Sequence, residues 1–140
     1  MHRQSLREEP NPNPTPVSLV LIVDHYRVGQ RIALMQLNYF GLSAHVVTSC
    51  RQAFKALKKQ HYALVFIGLG MPNCDGAACT QFVRKLELRR NKETTIVAVT
   101  AHANKGDKER CIAAGMDDLM SKPITMVDMQ QLLRRHLQIA

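Results

Sequence analysis

Residues 19–26 read Leu19-Val20-Leu21-Ile22-Val23-Asp24-His25-Tyr26. Five apolar residues in succession have the length of a strand buried on both faces, and the acid that follows marks its end. Val28, Ile32, Met35 and Tyr39 then recur at helical spacing until Gly41 supplies a stop, which predicts a helix with this stripe turned to the core. The segment is one β-α unit, and the alternation continues along the chain.

Ala44 to Thr48 predicts a second strand, before a helix over Cys50 to Gln60 with Ala53, Phe54 and Leu57 on its inner face. Ala63 to Ile67 predicts a third, before Gly-Leu-Gly-Met-Pro and a helix from about Asp75 to Arg89 burying Cys79, Phe82, Val83 and Leu86. Thr95 to Val99 follows as the fourth, then a short helix over Lys105 to Ala114 closed by Gly115. Leu119 to Ser121 and a helix over Thr125 to Leu137, with Met126, Met129, Leu132, Leu133 and Leu137 inward, complete the series. Strands alternating with helices imply a parallel α/β sheet covered on both faces. In such a sheet function gathers at the carboxyl ends of the strands. Those ends hold Asp24 and His25, Gly68 to Met71, Thr100 and Ala101, and Lys122 and Pro123.

The 140 residues suffice for one domain, and 46% hydrophobic against 21% charged composition allows a sizeable core. Residues 1–17 stand apart as an extended linker, because proline occupies every second position from Pro10 to Pro16. Apolar runs are strand-sized, far short of the roughly 20 residues of a membrane helix, so neither membrane insertion nor a signal peptide is indicated. Cys50, Cys74, Cys79 and Cys111 form no Cys-x-x-Cys pair, which argues against a zinc site or a disulfide framework. Reduced thiols in the cytoplasm, an inert Cys74 among them, are the expectation. The net charge of +8 favours an anionic or acidic partner. Of the basic clusters, Arg84, Lys85, Arg89 and Arg90 are the candidate partner surface; without interleaved aromatics they do not suggest specific nucleic-acid recognition.

Val23-Asp24-His25-Tyr26, Met71-Pro72-Asn73-Cys74-Asp75-Gly76, Val99-Thr100-Ala101-His102, and Ala114-Gly115-Met116-Asp117-Asp118 leading to Lys122-Pro123-Ile124 occur in this order over about residues 18–138. Together they resemble the receiver (CheY-like) domains of two-component signalling. The Gly-Met-Asp-Asp and Lys-Pro-Ile wording is most similar to receivers attached to hybrid histidine kinases. The resemblance implies a flavodoxin-like, doubly wound sheet of five strands in the order 2-1-3-4-5.

It also implies a site. The family's first acid falls on Asp24, its hydroxyl on Thr100 and its lysine on Lys122. The second acid falls on His25, the phosphoaccepting aspartate on Gly68, a metal-holding carbonyl on Gly70 and the aromatic switch on Leu119. Glycine has no side chain to attack a phosphoryl donor. Magnesium wants hard oxygen ligands, whereas histidine suits zinc better. No catalytic residue, metal or cofactor is therefore expected. Asp24 and Lys122 should form a metal-independent pair, hydrogen-bonded through Thr100, beside a His25 satisfied at the strand end.

This pattern is that of a pseudo-receiver, similar to those of hybrid sensor kinases including cyanobacterial circadian input kinases. It predicts a protein-docking module, not an enzyme, whose partner is a histidine-kinase domain or another signalling protein with an acidic surface. The alternatives are a phosphorelay receiver with an unorthodox acceptor, for which Asp75 is the nearest carboxylate after Gly68 in the sequence, and a small-molecule sensor with a pocket where the aspartate side chain would stand.

Overall fold

Apolar residues on both faces of each central strand demand cover on both sides, and the chain supplies it by winding helices alternately over the sheet. The structure, a computed structural model, describes residues 19–72 and 74–139; the expected linker over 1–17 lies outside the described residues. The elements are β1 Leu19–Val23, α1 Arg27–Tyr39, β2 Ser43–Val47, α2 Cys50–Lys59, β3 Leu64–Gly68, α3 Gly76–Arg90, β4 Thr95–Thr100, α4 Lys105–Ala113, β5 Asp118–Ser121 and α5 Met126–Leu137. All pairings are parallel, in the order β2-β1-β3-β4-β5. This is the flavodoxin-like receiver fold.

The two-residue period of the strands divides the core. Leu21, Val23, Val65, Ile67, Ile96 and Ala98 pack against α2, α3 and α4, whose Ala53, Leu57, Cys79, Val83 and Cys111 are buried. Val20, Ile22, Leu64, Phe66, Val97 and Val99 pack on the other side, with Leu37 of α1 and Met129, Leu132 and Leu133 of α5. Side-chain caps fix where three helices begin: Ser49 accepts from the Gln52 amide, Asp75 from Ala77, and Thr125 from Asp128, whose carboxylate in turn accepts from the Thr125 amide.

Three expectations are corrected. The stripe Val28, Ile32, Met35, Tyr39 faces outward, with Val28, Met35 and Tyr39 more than 70% exposed. The helix instead turns Gly29, Ala33 and Leu37 inward, one helical position further on, because Gly29 is the residue that lets the helix approach Asp24. Met126 likewise lies at the surface end of α5, while Met129 is fully buried.

The second correction concerns the thiols. Cys50 and Cys74 are joined in a disulfide, their Cα atoms 5.0 Å apart. Cys50 opens α2 just after β2, and Cys74 lies in the loop after β3, so the parallel topology brings both to the carboxyl end of the sheet across 24 residues of sequence. No local spacing encodes that meeting, and the reduced, inert Cys74 is overturned. Cys79 and Cys111 are free and buried; burial pushes the Cys79 thiol up to about 11 and raises that of Cys111 despite the neighbouring Arg110.

The third correction falls on the basic surface. Arg84 donates to the Gly115 and Thr94 carbonyls and pairs with Glu87 and Asp117 at 2.8 and 2.9 Å. Arg90 donates to the carbonyls of Gln60 and Lys58. Both tie α3 to its neighbours, which leaves Lys85 and Arg89 as the exposed members of the expected patch. No helix among the described residues is long and apolar enough to cross a membrane.

Candidate functional site

Asp24 follows β1 directly and is extended from it by a backbone bond from its amide to Val47 O at 3.1 Å. Its carboxylate is buried, with Oδ1 accepting from the Tyr26 amide at 2.9 Å and Oδ2 from Lys122 Nζ at 3.3 Å. Lys122 comes from the end of β5, where its amide donates to Thr100 O at 2.8 Å and its peptide bond to Pro123 is cis. The ammonium also lies 4.9 Å from the centre of the Tyr26 ring, an attractive cation–π placement. The pair is thus held at the ends of β1 and β5, anchored by backbone bonds to β2 and β4, and capped by an aromatic residue.

Thr100 does not bridge the pair as expected. Its Oγ1 accepts from the His102 amide at 3.3 Å, which turns the hydroxyl into its own loop. His25 departs from expectation too: its ring packs on Tyr26 with centroids 4.2 Å apart, and its buried Nδ1 has no hydrogen-bond partner among the described residues.

Gly68 ends β3 and is buried. A Cβ placed on it would meet Val23 O at 3.3 Å and Met71 Sδ at 3.4 Å. Met71 is itself buried, so a flexible thioether packs against one side of the glycine, while on the other side Gly68, Thr100 and Lys122 line one open crevice. Gly70 follows in a left-handed conformation, φ +79°, beside the crevice. Asp75 stands at the N-terminus of α3, where its carboxylate is engaged by the Ala77 amide.

Leu119 is half-buried on β5 and packs against the core on the α2, α3 and α4 side. The acid before it has another task. Asp118 accepts from the Leu119 amide, Arg135 and His136 at 2.8 to 2.9 Å, with Lys108 at 3.7 Å. Burial alone would raise the Asp118 carboxyl, but the bonds from His136, the Leu119 amide and Arg135 outweigh it and hold the pKa below the usual value.

Sequence reasoning placed Met71 at the crevice but not its seat against Gly68, and missed Gly29, Tyr26 and Gln36 as parts of this region. Gly29 carried a faint signal, since a glycine in the first turn of a helix is unfavourable unless a close contact requires it. The others reveal themselves only when strands distant in sequence are brought together.

A doubly wound sheet in this order, with an acid, a hydroxyl and a lysine at three strand ends, defines a receiver-type signalling domain. Residues 20–134 match the family model described as response regulator receiver domain. The chain belongs to that family. It is 30% identical over 122 residues to hybrid signal transduction histidine kinase F of Dictyostelium discoideum, covering 86% of this chain and 11% of that protein. To the sensor histidine kinase RcsC of Escherichia coli K12 it is 33% identical over 115 residues, covering 82% of this chain and 12% of RcsC. It therefore spans about a tenth of the length of these relatives. Among solved structures, the receiver domain of sensor histidine kinase PA1611 from Pseudomonas aeruginosa PAO1 superposes with a TM-score of 0.75 at 30% identity, covering 87% of this chain and 98% of that one.

The PA1611 receiver holds a magnesium ion in its active-site cleft. The donors present here do not fit that ion. Asp24 already shares its carboxylate between Lys122 and the Tyr26 amide, His25 offers a nitrogen, and Gly68 offers no side-chain oxygen. No group of three or more His, Cys, Asp or Glu among the described residues is arranged to hold a metal.

Proposed function

We propose that this receiver is a pseudo-receiver: a phosphorylation-independent docking module of a histidine-kinase signalling system. The observation that carries the reading is Gly68 at the phosphoacceptor position with Met71 packed against it. Glycine puts no carboxylate at that position, Asp24 is engaged by Lys122 and the Tyr26 amide, and Asp75, the next carboxylate along the chain, caps α3. The charge arithmetic agrees, since a single buried carboxylate balanced by Lys122 has no need of a divalent cation. The domain acts by binding rather than by catalysis.

The exposed stripe of α1 supports the protein-docking part. Val28, Ile32, Met35 and Tyr39 form a continuous apolar row along 13 residues of helix, bordered by the exposed Arg27 and Arg31. An apolar row with a basic edge suits an amphipathic helix with acidic flanks, which a histidine-kinase domain or another acidic signalling protein would supply. With Arg84 and Arg90 occupied within the fold, α1 replaces the α3 cluster as the proposed contact.

The test combines labelling with binding. The chain is incubated with acetyl phosphate and magnesium, and its intact mass is compared before and after. Titration calorimetry then measures its affinity for the phosphotransfer domains of hybrid histidine kinases with and without the phosphodonor. The expected result is no phosphoryl adduct, donor-independent binding, and a loss of about tenfold or more on Met35→Glu. A stoichiometric adduct, or binding that requires the donor, overturns the proposal.

A further inference from the structure

A cavity of about 760 Å³ runs inward from the crevice on the α1 and α5 side of the sheet. Asp24, Gly68, Thr100 and Lys122 line its mouth, and its inner walls are apolar: Ile22, Phe66 and Val99 from the strands, Ile32 and Ala33 from α1, and Met129 from α5. The volume lies within the range of small-molecule sites, which are largely apolar with a few placed polar groups. Gln36 is such a group. It is 6% exposed and lines the cavity. Its Nε2 donates to Ile124 O at 2.7 Å. Because a carbonyl can only accept, the amide nitrogen must face it, and the orientation leaves Oε1 as an acceptor within the cavity wall. That oxygen is buried without a hydrogen-bond partner among the described residues. His25 Nδ1, also buried and without a partner, stands in the cavity lining on the crevice side.

We propose that this cavity binds a small, uncharged, mostly apolar molecule whose hydroxyl or amine group donates to Gln36 Oε1. The apolar walls select against a charged ligand, and the one charged pair in the lining, Asp24 with Lys122, is already mutually satisfied. The Gln36 acceptor selects for a donor on the ligand, since an apolar molecule of the same shape would leave it buried and unmatched. The site lies beneath the α1 helix proposed for docking. It does not depend on whether the chain accepts phosphate, and so stands or falls apart from the preceding proposal.

The probes are β-naphthol, a fused aromatic with one hydroxyl, and its methyl ether, which keeps the apolar body and removes the donor. Binding to the full chain is followed by amide chemical shifts in NMR titrations. The expected result is that β-naphthol shifts the amides of Ile22, Phe66, Gln36 and Ile124, and binds roughly fivefold more tightly than the ether. Ala33→Leu, which narrows the cavity and leaves Gln36 in place, should abolish binding of both probes. Gln36→Met should equalise them. Equal affinity of the native chain for the two probes, shifts confined to the exposed α1 stripe, or no binding up to the solubility limit overturns the proposal. The comparison of probes on the native chain and the Ala33→Leu variant decide the matter even where Gln36→Met is poorly folded.

Discussion

Gly29 lies so close to Asp24 that a Cβ placed on it would stand 2.9 Å from Oδ2, the oxygen that accepts from Lys122. This contact sets the phase of α1 and explains why its most apolar stripe faces outward. On helix propensity alone, Gly29→Ala should stabilise the protein by about 1 kcal/mol. The contact reverses the sign: the methyl group displaces a buried carboxylate from the Tyr26 amide and Lys122, and the expected outcome is a net loss of about 1 kcal/mol in urea unfolding. In an Asp24→Ala background the obstruction is gone, so the same substitution should become stabilising. A double-mutant cycle reads this change of sign directly.

The Cys50–Cys74 bond closes a loop across 24 residues at the site's edge. Loop-entropy arguments assign such a cross-link about 3 kcal/mol. Cys74→Ser should lower stability by about 2–3 kcal/mol under oxidising conditions and by little when a strong reductant is present. Alkylation of the unfolded, unreduced chain should modify Cys79 and Cys111 and spare Cys50 and Cys74. Modification of all four cysteines would show that the bond does not form.

How far the fold could be read in advance follows from where each signal resides. Leu19–Val23 and Leu64–Gly68 are legible because a strand buried on both faces must be apolar throughout, a property of contiguous residues. The phase of α1 was not, because two faces of that helix carry apolar residues and the choice rests on Gly29 meeting Asp24, a contact the periodicity does not contain. The same distinction divides the site. Asp24, Thr100 and Lys122 sit at strand ends marked by local motifs. The Thr100 hydroxyl, the Arg84 anchor on Gly115, and the disulfide depend on partners chosen by the winding of the chain.

Asp118 predicts an acid-sensitive latch between β5 and α5. Its pKa lies below the ordinary value of 3.8, so its contribution to stability is complete above that pH and is lost as pH falls through the lower folded value. Asp118→Asn should cost about 1–2 kcal/mol at neutral pH, since it weakens charge-assisted bonds to His136 and Arg135 without leaving a deeply buried cation. The gap between native and variant should close below about pH 4. Asp128, whose carboxyl is lowered by its bonds to the Thr125 amide and hydroxyl, titrates in the same direction in both proteins and cancels from the difference. A gap that persists unchanged to pH 2, a value well below the roughly 3.9 of an unperturbed aspartate, would remove Asp118 from this role.

Restoring the family's chemistry should take two substitutions. Gly68→Asp supplies a carboxylate, but its Cβ enters against Val23 O at 3.3 Å and Met71 Sδ at 3.4 Å, so Met71 must withdraw and stability should fall by about 1–3 kcal/mol. The new acid would face Asp24 and Lys122 with His25 still in the place of the second carboxylate. Magnesium gains one hard ligand and still lacks the other, and acetyl phosphate should leave this variant unlabelled. Adding His25→Asp brings the carboxylate count to three against the single Lys122, an arrangement that requires a divalent cation. The double variant should bind magnesium with stabilisation on titration and acquire a phosphoryl adduct that hydroxylamine removes. Labelling of Gly68→Asp alone would show that His25 does not block the metal, and labelling of neither would place the obstruction in Met71, which Met71→Ala in the double variant then tests.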